Sequence, residues 1–72
     1  MPPSLPRVSG AAAVLALQRL GFVAARQKGS HVVLKRGSVG CVVPLHAELK
    51  VGTLSGVLKQ AGVSADEFMA QL

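Results

Sequence analysis

The sequence predicts an α+β fold, a three-stranded antiparallel sheet with helices packed on one face, and three observations point to it. Apolar residues recur at helical spacing near both ends of the 72-residue chain, and at a spacing of two between Phe22 and Leu45. Glycine-containing breaks cut that middle stretch into three short runs. The length supports one hydrophobic core, hence one domain spanning residues 1–72.

Pro2, Pro3 and Pro6 keep the first residues extended, and residues 1–8 are expected to be mobile. Ser9 is a good N-cap, and Ala13, Leu17 and Leu20 share one face of a helix running from about Ser9 to Leu20. Gly21 supplies the left-handed stop, with Phe22 folding back on Leu17 in a Schellman-type contact. The strands are expected at about Phe22–Gln27, His31–Arg36 and Val39–Pro44, joined by turns at Lys28-Gly29-Ser30 and Gly37-Ser38. Alternation puts Val32 and Leu34 on one face of the second strand, and His31, Val33 and Lys35 on the other. If the first set meets the helices, His31 is exposed.

Leu45 to Gly52 reads as a loop, followed by a helix capped by Thr53 and carrying Leu54, Val57, Leu58 and Ala61 on its apolar face. Gly62 ends it. Ser64-Ala65-Asp66-Glu67 is a capping box, with Val63 and Phe68 as its hydrophobic staple, so a short third helix follows with Phe68, Met69 and Leu72 in the core. The order α-β-β-β-α-α resembles the double-stranded RNA-binding domain.

The formal charge is +5, distributed unevenly. No acidic residue precedes Glu48, so residues 1–47 carry +6 and the remainder −1. Such a field attracts a polyanion, either nucleic acid or an acidic protein. A single cysteine, Cys41, excludes an intrachain disulfide and fits a reducing cytoplasm. With only His31 and His46 beside it, widely spaced, no metal site and no cofactor are expected. The apolar run Ala11–Leu17 is too short to span a bilayer, so no membrane association is expected.

His31 stands out because it follows a turn and has basic residues on both sides, in Arg26-Gln27-Lys28-Gly29-Ser30-His31-Val32-Val33-Leu34-Lys35-Arg36. An imidazole beside cations is the minimum equipment for acid/base cleavage of RNA. By spacing alone, the plainer reading is a surface histidine behind a hairpin turn. Lys28, Lys35 and Arg36 are candidate phosphate contacts, although charged strand residues are often only a solvated face that discourages edge pairing. Gly29 is the structural turn residue, and Ser30 either completes the turn or bonds a phosphate. His46 and Lys50 are weaker candidates for the same site, His46 as a complementary acid or base and Lys50 near the start of the second helix.

Several segments together resemble the HicA-type mRNA interferases, toxins of toxin–antitoxin pairs. They are Leu20-Gly21-Phe22, Arg26-Gln27-Lys28-Gly29-Ser30-His31, Val42-Val43-Pro44-Leu45-His46, Lys50-Val51-Gly52-Thr53-Leu54 and Leu58-Lys59-Gln60-Ala61-Gly62. The resemblance implies a fold like the double-stranded RNA-binding domain and a metal-independent endoribonuclease whose catalytic histidine is the one in Gly-Ser-His, here His31. It also implies two partners, mRNA and a HicB-type antitoxin. Val32, Val33 and Leu34 after His31 offer no ring for a base to stack on, which leaves RNA contact to Lys28, Lys35 and Arg36. Two other functions fit the same residues: a non-catalytic binder of double-stranded RNA, which needs only basic contacts, and a degenerate toxin that acts solely through protein interaction.

Overall fold

A computed structural model describes residues 5–72. Helix α1 (Gly10–Arg19) leads into strands β1 (Val23–Lys28), β2 (His31–Arg36) and β3 (Val39–Pro44), then helices α2 (Val51–Ala61) and α3 (Ala65–Met69). The strands form one antiparallel sheet in the order β1-β2-β3. This is the α+β layout expected, with an open sheet whose helix-facing side carries the core.

The termini of α1 follow local chemistry. Ser9 Oγ accepts from the Ala12 amide at 3.0 Å. At the other end the Phe22 amide donates to the Leu17 carbonyl and the Gly21 amide to that of Gln18, the Schellman pair. Phe22 is thereby delivered to the core, where it is 2 % exposed.

Each hairpin closes with a two-residue Gly-Ser loop. Gly29 (φ 59°) and Gly37 (φ 61°) take the positive φ that the first position of such a loop requires, and β1 begins and ends one residue later than expected. Val32, Leu34, Cys41 and Val43 point from the sheet into a core completed by Ala13, Ala16, Leu17, Leu54, Val57, Leu58, Ala61 and Phe68. His31 is exposed, as alternation requires once Val32 and Leu34 are buried.

Two expectations fail. Thr53 does not cap α2, because the helix starts three residues earlier than that cap implies, with Lys50 at the N-cap and no side-chain capping bond. The burial of Leu49 and the bond from its amide to the Val8 carbonyl (2.7 Å) bring the chain into the helix before Thr53. Leu72 lies past the end of α3 and is half exposed, whereas Phe68 is fully buried and Met69 partly so. The expectation of a mobile leader falls partly on residues 1–4, outside the described residues. Leu5 and Val8 pack against the core.

The capping box of α3 is complete. The Ser64 amide donates to Glu67 Oε1 at 3.1 Å, and the Glu67 amide to Ser64 Oγ at 3.1 Å. The Ser64 backbone N–H, helped by its hydroxyl, holds the Glu67 carboxyl below its ordinary value of 4.5. A carboxyl depressed in the folded state stabilises fully above its unfolded value, and that contribution is lost as pH falls through the lowered one. Urea midpoints should therefore decline below about pH 4.5. Glu67→Gln, which retains the cap without titrating, should lose this component of the decline; an unchanged acid limb would refute the assignment.

Candidate nucleic-acid interface

A β-bulge in β1 organises the open face of the sheet. Val23 pairs with Lys35 and Ala24 with Leu34, but the next partner, Val33, is met by Arg26, leaving Ala25 as the extra residue. Strict alternation from Val23 would send Arg26 and Lys28 to the helix side. The bulge shifts the parity and puts both on the open side, opposite Val33 and His31.

The open face then consists of three rows across the strands. Lys28, His31 and Pro44 form the row at the Gly29-Ser30 turn. Arg26, Val33 and Val42 form the next, and Val23, Lys35 and Gly40 the third. Successive rows lie about 7 Å apart, two residues along a strand. Apart from Val33, which is half-buried, and Pro44, which is buried, the residues of this face are exposed. Three cations and an imidazole thus share a face with Val23, Val33 and Val42, and no strand residue is acidic. Beside the bulge, Ala25, Arg26, Val33 and Lys35 line an open concavity of about 300 Å³.

The backbone gathers more at the His31 end. The Ser30 carbonyl accepts from the Leu45 amide at 2.6 Å, and the His46 carbonyl accepts from the Gly10 amide at 2.9 Å. The Leu45-His46 segment is therefore joined to the Gly29-Ser30 turn on one side and to the start of α1 on the other. Gly10 makes this possible by size: a Cβ there would overlap the Pro44 carbonyl oxygen and lie 2.7 Å from Leu45 Cα.

The candidates named from sequence divide accordingly. Lys28, His31 and Lys35 share the open face, with the Ser30 and His46 segments adjoining its turn end. Arg36 falls on the opposite side by alternation, its Nη1 donating to the Leu20 carbonyl at 2.8 Å and its guanidinium stacked 4.6 Å from the centre of the Phe22 ring. Lys50 sits at the N-cap of α2, outside the sheet. Arg26 is the contributor that sequence reasoning left out, since only the bulge brings it to this side. Cys41 faces the core, and burial pushes its thiol pKa up, away from the reactive thiolate.

Among the described residues, no group of three or more His, Cys, Asp or Glu side chains could hold a metal ion, and no helix is long and apolar enough to cross a membrane. The family profile described as HicA toxin of bacterial toxin–antitoxin matches residues 10–63, from the first residue of α1 to just past the end of α2. The search of curated proteins gave no match. A match over most of the chain, on the α-β-β-β-α order and with Gly29-Ser30-His31 at the turn of the open face, places the chain in the HicA toxin family, as the toxin of a toxin–antitoxin pair.

Proposed function

We propose that this toxin is an endoribonuclease that cleaves mRNA without a metal, with His31 as the proton-transfer group. The observation that carries this reading is the acid-free open face, on which His31 stands at the end of a field of cations. Lys28 beside it, with Arg26 and Lys35 beyond, would hold phosphates. The valines between them offer apolar surface to riboses and bases in place of stacking rings. Ser30 in the turn would bond a phosphate oxygen, with Gly29 shaping its backbone. Arg36 and Lys50 add to the general field from outside this face.

The chemistry needs little more. The 2′-hydroxyl of the substrate attacks the adjacent phosphorus while a base removes its proton, and the bond to the leaving 5′-oxygen breaks as an acid protonates it. An imidazole performs either transfer near neutral pH, and His46 is the candidate for the complementary one. The family implies an antitoxin partner. A HicB-type protein covering this open face would inhibit by occlusion, and the cytoplasm, where mRNA is found, is the compartment that fits.

Incubating the purified protein with defined mRNA in a chelator and mapping the cut ends tests the proposal. Products bearing a 2′,3′-cyclic phosphate and a 5′-hydroxyl are expected. Ends bearing 3′-hydroxyl and 5′-phosphate, with activity lost in the chelator, would point to metal-activated water instead. RNA bound but never cut would reduce the protein to a binding module.

A further inference from the structure

The concavity beside the bulge has no part in the proton transfers, and it is lined by Arg26, Lys35, Val33 and Ala25. We infer that it is a phosphate subsite, one nucleotide removed from the bond that His31 would cleave; this rests on the reading of the open face as an RNA surface. Arg26 occupies the row next to His31 and Lys35 the row after, so a phosphate held between them lies roughly 7–14 Å along the sheet from the imidazole. Neighbouring phosphates of an extended RNA strand are separated by a step near the lower end of that span, the Arg26 end. A strand running along β2 with one phosphate at Lys28 and His31 would place another in the concavity.

Both cations are free for the task. Neither the Arg26 nor the Lys35 side chain makes a hydrogen bond or ion pair with another described residue. Arg36, by contrast, is engaged with Leu20 and Phe22. The Arg26 guanidinium can offer a phosphate two parallel donors, Lys35 adds a point charge, and half-buried Val33 contributes apolar lining. The bulge makes this arrangement by turning Arg26 outward and leaving Ala25, whose small side chain keeps the hollow open.

The test uses the full chain carrying His31→Ala, so that RNA stays intact, with binding followed by fluorescence anisotropy across a range of salt concentrations. The probes are a short dye-labelled single-stranded RNA and a dinucleoside monophosphate, which has no second phosphate. Adding Arg26→Gln or Lys35→Gln should weaken the longer RNA roughly tenfold and lower its salt slope by about 0.7, while leaving the dinucleoside monophosphate unchanged. The double variant should lose less than the product of the singles, because both side chains grip one phosphate. Lys59→Gln, an exposed charge on α2, should change neither probe. Equal losses from Arg26→Gln and Lys59→Gln would overturn the subsite and leave only a diffuse field, with the RNA reading intact. An acidic peptide that loses affinity on Arg26→Gln when RNA does not would overturn it in favour of protein docking. Absence of RNA binding before Arg26 or Lys35 is changed would remove the subsite and the RNA reading together.

Discussion

His31→Ala is expected to slow RNA cleavage by about 10²–10⁴-fold, the range over which a positioned proton-transfer group typically contributes. Folding should barely register the change. His31 is exposed, its side chain makes no hydrogen bond with a described residue, and surface substitutions of this kind usually move stability by less than about 0.5 kcal/mol. Separating the two quantities is what gives the experiment its force, so cleavage rate and urea midpoint should be measured on the same preparations. Binding of intact RNA should persist in the variant, since the cations at Arg26, Lys28 and Lys35 remain. Cleavage at the parent rate by a folded His31→Ala protein would refute a catalytic role and leave the histidine as a surface residue behind a turn. Loss of cleavage together with loss of RNA binding would make it a contact rather than a proton carrier.

The second large effect falls on stability, at a residue with no side chain. Gly10→Ala is expected to cost about 3 kcal/mol, at the upper end for overpacking. That is a substantial part of the roughly 4–11 kcal/mol that a domain of this length commonly holds. The atoms in the way are the Pro44 carbonyl oxygen and Leu45 Cα, so no rotamer change relieves the clash. If Gly10 retreats, its amide leaves the His46 carbonyl; if Pro44 and Leu45 retreat, the Leu45 amide leaves Ser30. Either displacement loosens the end of the sheet where His31 stands. Two other helical glycines supply the control. A Cβ at Gly52 or Gly56 meets nothing within 4 Å, and alanine there should be neutral or stabilising by up to about 1 kcal/mol. Thermal melts of the three variants decide the matter, and a stabilised Gly10→Ala protein would contradict the close packing described.

What could be read from the amino acids tracks how local the physics is. The N-cap at Ser9, the Schellman turn at Gly21 and Phe22, the Gly37-Ser38 loop and the capping box of α3 each depend on a few neighbouring residues, and all were legible; the first turn was placed correctly but read one residue too long, because Lys28 belongs to β1. The exposure of His31 followed from the burial of Val32 and Leu34 alone. The start of α2 was not legible, because Thr53 offers a good capping hydroxyl while the actual boundary follows from Leu49 packing inward and pairing with Val8. The bulge was hidden for another reason. All six residues of β1 are exposed, so no apolar alternation fixes which of them face the helices. Arg26 was therefore missed, and Arg36, next to Lys35 in sequence, was grouped with cations that lie on the other side of the sheet. His46 joined the His31 end through backbone bonds spanning many residues, which spacing cannot foresee.

The extra residue in β1 also bears on which changes of length this chain tolerates. Ala25 is exposed, so its own replacement by another small residue disturbs little. Its removal is accommodated as well, because Val23, Ala24, Arg26, Gln27 and Lys28 would then face Lys35, Leu34, Val33, Val32 and His31 in unbroken alternation, with Phe22 still on the core side and Arg26 and Lys28 still on the open side. Loss of a second residue from β1 is different in kind, since with one end of the strand held in register every residue beyond the gap changes side. Either Phe22 then leaves the core or Lys28 turns toward the helices, so this hairpin carries one residue it can lose and none after it.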